Sequence, residues 1–114
     1  MISNEFLKGL LKTLVLQVLE VEGPMHGYWI TKKVKEATNG QVNLTFTNIY
    51  PILHKLKKEK ILVTASDITT GRMRVYYSLT PKGHSLVSQK IKELKGFIEI
   101  LRGITELKPT ETKP

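Results

Sequence analysis

A chain of 114 residues holds one domain with room for an appended oligomerisation element, and 40% hydrophobic with 25% charged residues excludes general disorder. Its formal net charge of +8 and pI near 9.8 point to an anionic partner, which is nucleic acid, a membrane surface or an acidic protein. The absence of cysteine excludes disulfides and thiolate chemistry, while the short apolar runs and the lack of a secretory signal predict a cytoplasmic chain with no membrane partner.

From Asn4 to Val21, Leu7, Leu10, Leu11, Leu14, Val15, Val18 and Leu19 recur at helical spacing, with Ser3 or Asn4 placed to cap the start. Gly23-Pro24 breaks this helix. A second helix is predicted from His26 to Thr38, with Ile30, Val34 and Ala37 facing inward and Asn39-Gly40 ending it in the left-handed region. Thr45 is the expected N-cap of a third helix reaching Lys60, whose apolar stripe is Ile49, Ile52, Leu53 and Leu56. Pro51 lies inside it and predicts a slight kink.

Ile61 to Ile68 and Val75 to Thr80 are rich in β-branched and aromatic residues, and the Thr69-Thr70-Gly71 turn between them predicts a hairpin. Alternation puts Tyr77 toward the core and leaves Tyr76 more exposed. Thr80-Pro81 then opens a last helix, whose Val87, Ile91, Leu94, Ile98 and Leu101 form a heptad seam broadened by Phe97 and Ile104. A helix of about 27 residues would be ~40 Å long, more than a small domain covers by itself, so this seam predicts a homodimer. The fold expected is mainly α with a small β-hairpin: a winged helix-turn-helix over residues 1–80, a C-terminal dimerisation helix over 81–108 and a flexible tail over 109–114.

Helix, strand, basic turn, strand is the order in which a winged helix sets one helix into a DNA groove and one hairpin on the adjoining backbone. The first turn of the third helix offers Thr45, Thr47, Asn48 and Tyr50, short polar groups suited to phosphates and base edges. Ordinary capping plus a packed tyrosine explains the same residues, and their position just before a wing favours contact. Lys55 and Lys58 belong to a basic run that reads either as a solvated face or as phosphate contacts. Arg72 and Arg74 flank Met73 at the hairpin, and two of the chain's three arginines in one turn argue for binding, because mere solubility is served as well by lysine. Tyr76 adds a hydroxyl within reach of a phosphate.

Trp29 begins the second helix, where core or interface filling is the commoner role and a small-molecule pocket the rarer one. His26, His54 and His84 are too scattered for a metal site, and neither a phosphate-cradling glycine loop nor a nucleophile elbow occurs, so no enzyme, cofactor or metal is expected. A basic face docking an acidic protein partner is the alternative to DNA.

Three blocks resemble the PadR family of winged-helix transcriptional regulators, in its short form with one C-terminal helix. Residues 23–28 with Ile30 resemble the family's "GPLHGYEI", residues 49–56 its "LYPALHRL" and residues 71–80 its "GRPRKYYRLT", with Gly83 following. The resemblance spans Leu7 to Leu86 and implies a homodimer on a pseudo-palindromic double-stranded operator, usually as a repressor. It also implies a possible small-molecule effector near the dimer centre, for which Trp29 and Phe97 are the aromatic candidates. The chain departs from the family pattern at Trp29, Met73 and Val75.

Overall fold

The computed structural model describes residues 7–69 and 71–110. Ser3 and Asn4 as caps, Thr70 of the turn and residues 111–114 of the tail lie outside the described residues. Among the described residues four helices and three strands follow in the order α1 (Leu11–Glu22), β1 (Met25–His26), α2 (Gly27–Ala37), α3 (Phe46–Lys58), β2 (Leu62–Asp67), β3 (Arg74–Leu79) and α4 (Pro81–Thr105).

The expected unbroken first helix is interrupted: residues 8–10 form a turn, and α1 starts at Leu11 behind Leu10, which offers no side-chain cap. Gly9 in that turn is a poor helix former, which explains the break. The inward face of α1 includes Leu16, fully buried and absent from the predicted stripe, whereas Leu10 is exposed. α2 and α3 match their expected spans, with Ile30 and Val34 buried. Ala37 is exposed instead of buried, because α2 ends there and its last turn leaves the core. Asn39 and Gly40 have positive φ as expected, and the Gly40 amide donates to the Lys35 carbonyl at 2.8 Å.

The two-stranded hairpin proves to be part of a three-stranded antiparallel sheet in the order β1-β3-β2. Met25 pairs with Tyr77 and His26 with Tyr76, while β2 runs from Leu62 opposite Leu79 to Asp67 opposite Arg74. The extra strand has only two residues, too few for any alternation to announce it. It clamps the start of α2 to the wing.

Leu16, Ile30, Ile49, Leu53, Leu56 and Leu62 are the largest fully buried side chains, and they join all three leading helices to the sheet. Burial of each stabilises the fold by roughly 1.5–3 kcal/mol before chain entropy is counted. Two glycines permit close approach. A Cβ on Gly83 would lie 2.3 Å from the Ile61 carbonyl oxygen, and one on Gly27 would lie 2.1 Å from the Phe46 ring. Gly83 thereby lets the first turn of α4 sit on the end of α3, where Thr80 caps α4 and its hydroxyl donates to the Lys60 carbonyl at 2.7 Å.

Val87 is 3% exposed and belongs to this chain's own core, so it is a packing residue and not a free member of the dimer seam. Ile91 packs partly against the same core. Beyond them α4 leaves the body: Phe97, Ile98, Ile100, Leu101 and Ile104 are all exposed. The radius of gyration is 17.4 Å, against about 13 Å for a compact chain of this length, and the long dimension is 69 Å.

Candidate nucleic-acid interface

The first turn of α3 is built by a reciprocal cap. The Asn48 amide donates to Thr45 Oγ1 at 3.3 Å, and the Thr45 amide donates to Asn48 Oδ1 at 2.9 Å. The Thr45 hydroxyl donates to the same Oδ1 at 2.9 Å. Capping therefore accounts for much of what Thr45 and Asn48 offer, as the simpler reading held. What remains is the Asn48 side-chain NH2, a donor pair on an exposed residue.

Helical spacing sorts the rest of α3. Ile49, Leu53 and Leu56 are buried, which turns Thr47, Pro51, His54 and Lys58 to the opposite, exposed face. Lys55 is exposed beside them. Pro51 carries no amide hydrogen, so the Thr47 carbonyl lacks its helical partner four residues on. Tyr50, His54 and Lys57 form the flank toward the wing, with Tyr50 at 47% exposure, and the Phe46, Tyr50 and His54 rings run along it at 5.3 and 6.1 Å between centroids.

Between this flank and the wing lies a groove of about 580 Å³. Tyr50, His54 and Lys57 line one wall, Arg72, Arg74 and Val75 the other, and Tyr28 and Phe46 one end. Among the described residues no acidic side chain lines it. Lys57 faces the groove, while Lys55 and Lys58, the two lysines singled out from the sequence, lie outside its lining. Phe46, Tyr28 and Lys57 were not anticipated; the signal for Lys57 was its place three and seven residues after neighbours on the same flank, His54 at i−3 and Tyr50 at i−7.

On the wing, Gly71 has φ +76 and Arg72, Met73 and Arg74 are exposed. Among the described residues the close pairs of basic and acidic side chains are Lys33 with Glu36, His84 with Glu20 and Arg102 with Glu99, so neither wing arginine is in a close ion pair. Asp67 faces Arg74 across the ladder, but its carboxylate is occupied by the Thr69 hydroxyl and amide; those bonds, then Arg74, hold its pKa below the usual value. Tyr77 is buried and burial pushes its phenol pKa up, so it stays neutral in the core, and Tyr76 is the half-exposed member of the pair, as expected.

His26 sits at the N-cap of α2, where its Nδ1 accepts the Trp29 amide at 3.3 Å. Its Nε2 is 3.5 Å from Arg74 Nη1. Burial, then the Arg74 charge, lowers its pKa. Trp29 is 39% exposed and lines a second cleft with His26, Arg74 and Tyr76. Phe97 lines a different and smaller one, with Leu10, Thr13 and Leu94, so the two aromatic candidates for an effector site are not brought together within one chain. Among the described residues no three His, Asp or Glu side chains converge as a metal site, and no helix is long and apolar enough to cross a membrane.

The same architecture recurs in known proteins. A transcriptional regulator from Clostridium thermocellum superposes with a TM-score of 0.80 at 26% identity, covering 90% of this chain and 97% of that one. PadR of Bacillus subtilis, solved in complex with operator DNA, gives 0.64 at 25% identity, covering 92% of this chain and 51% of that longer one. By sequence, a transcriptional regulator of Mycobacterium tuberculosis is 28% identical over 83 residues, covering 72% of this chain and 75% of its own. The model of the PadR-like family of transcriptional regulators matches residues 15–89, and the chain, with its winged-helix fold, belongs to that family.

Proposed function

We propose that the chain is a sequence-specific double-stranded DNA-binding regulator that acts as a homodimer on a pseudo-palindromic operator and represses transcription from it. The observation that carries this reading is the groove between α3 and the wing, walled by Lys57, His54, Arg72 and Arg74, with no lining carboxylate among the described residues. A duplex backbone is the ligand such a wall suits: a linear polyanion whose phosphates release counterions as the arginines approach. The outer face of α3, with Thr47, Tyr50 and the Asn48 amide at its leading end, is then the part that meets base edges, and Lys55 and Lys58 flank it toward phosphates. That the Bacillus subtilis relative was solved in complex with operator DNA supports duplex DNA as the ligand.

The homodimer is supported by the overhanging half of α4. Leu94 is half-buried and Phe97, Ile98, Leu101 and Ile104 continue the seam exposed, an apolar stripe that a second copy would cover. Two copies related by a two-fold axis present two recognition helices about 34 Å apart, one turn of duplex. Selection of bound fragments from a randomised duplex pool, followed by sequencing, tests all of this at once. An inverted repeat with half-sites about one helical turn apart is expected; enrichment of nothing at moderate salt, or of an asymmetric single site, would sink the proposal.

A further inference from the structure

We propose that Met73, in the turn of the wing, is a reversible oxidation site through which peroxide-class oxidants weaken the hold of this chain on DNA. The oxidation stands on composition and exposure; its effect on binding rests on the DNA reading above.

Sulfur chemistry in this chain belongs to methionine, because there is no cysteine to take the first oxidising equivalents. The three methionines are Met1, Met25 and Met73, and Met1 lies outside the described residues. Met25 is 4% exposed, packed in the core from β1, so an oxidant reaches it only when the fold opens. Met73 is 68% exposed, between the end of β2 and the start of β3. Access to solvent thus separates two identical thioethers, and Met73 is the one that reacts in the folded chain.

The reaction closes with the oxidant as its one co-reactant. The sulfur gives an electron pair to one oxygen of hydrogen peroxide, and the O–O bond breaks. The second oxygen departs as hydroxide, takes the proton from the first and becomes water. Sulfur is oxidised by two electrons to the sulfoxide and peroxide is reduced. A thiol-dependent methionine sulfoxide reductase reverses the change, with the oxygen leaving as water.

Placement gives the oxidation a consequence. Arg72 and Arg74 stand on either side of Met73 and both line the α3-wing groove, and neither is in a close ion pair among the described residues. Asp67 pairs with Arg74 across the ladder, but the Thr69 hydroxyl and amide donate to its carboxylate. A thioether is a weak acceptor and leaves the guanidinium groups to phosphates. A sulfoxide is polar, and its oxygen attracts the N–H donors of the arginines beside it. Oxidation therefore exchanges an apolar side chain for an internal competitor with phosphate. Phosphate contacts carry no sequence information, so every duplex is weakened alike.

The test uses the full chain, hydrogen peroxide and a selected duplex. Peptide mass mapping should find one added oxygen on Met73 while Met25 is unmodified. The oxidised chain is expected to bind all duplexes about tenfold more weakly, with melting and sequence preference intact, and reductase with a dithiol should restore it. Met73→Leu keeps an apolar side chain of similar volume and retains Met1, Met25 and Trp29, so it should bind like the unoxidised parent and be insensitive to peroxide. If Met73 is no more reactive than Met25, the site is wrong. If Met73 is oxidised and affinity is unchanged, or peroxide weakens Met73→Leu as much as the parent, the switch is wrong and the DNA reading stands. If the parent selects no duplex, both fall.

Discussion

Replacing Arg72 and Arg74 together by alanine removes two charges that form no close ion pair among the described residues, and the consequence is a slope rather than a single affinity. Each phosphate neutralised on duplex DNA contributes about 0.9 to the dependence of log K on log salt. Two guanidinium groups per protomer, four in a dimer, then account for a slope of about 3.6. Over a fourfold rise in salt, from about 50 to 200 mM, the parent should lose about two orders of magnitude more affinity than the variant. Fluorescence anisotropy on one duplex across a salt series measures both lines. Because both side chains are exposed, the melting transition should move by no more than about 0.5 kcal/mol, which separates lost binding from lost fold. A double lysine variant should restore most of the slope while losing the bidentate grip of guanidinium. Parallel lines for parent and alanine variant would refute the wing as a phosphate contact.

Charging the α4 seam with Ile98→Glu and Leu101→Glu should give a monomer by sedimentation at concentrations where the parent is a dimer, with the fold retained because both residues are exposed; an unchanged dimer would place the interface elsewhere. Gly83→Ala drives a Cβ onto the Ile61 carbonyl, a backbone atom that cannot swing away, and should destabilise by about 1–3 kcal/mol in urea titration. Gly27→Ala meets only the half-exposed Phe46 ring and should cost less; the reverse order would contradict the packing. The folded His26 pKa lies below the unfolded value of about 6.5, so the unfolded chain takes up the proton first. Its contribution is thus complete above that value and is lost as pH falls through the folded one, and urea midpoints should fall more steeply with acid for the parent than for His26→Asn. Asn48→Asp keeps the acceptor that Thr45 uses but exchanges two donors for a negative charge, so melting should hold while DNA affinity falls; unchanged affinity would remove Asn48 from the interface.

Helices and core were legible because their signals are periodic. Ile49, Leu53 and Leu56 repeat at helical spacing, and all three are buried; Thr45, Asn39 and Thr80 are local capping signals, and all three act as such. What escaped depends on tertiary placement. β1 has no period of its own and exists because Gly23-Pro24 brings Met25 and His26 beside β3. Val87 fits a heptad, yet the first turns of α4 are held on the domain by Gly83, which directs that member of the seam inward. Ala37 fits the α2 stripe but falls in the last turn, past the last neighbour that could cover it. For the candidate site, residue type singled out the wing arginines, but that Lys57 is the lysine lining the groove with them depends on the side of α3 to which the wing folds back.

The cap on α3 constrains how a groove-bound helix could read sequence. An asparagine distinguishes adenine by accepting from its amino group and donating to its ring nitrogen at once. In Asn48 the accepting atom, Oδ1, already takes the Thr45 amide and hydroxyl, so bidentate adenine recognition would require opening the cap at a cost of about 1 kcal/mol. The donors alone favour guanine or phosphate acceptors. Acceptors on the outer face must come from other groups than Asn48, and with no amide at Pro51 the Thr47 carbonyl loses its helical donor four residues on. On the proposed DNA-bound arrangement, discrimination would be weighted toward the first two turns of α3, while the later lysines and the wing arginines would provide attraction that is the same for every sequence.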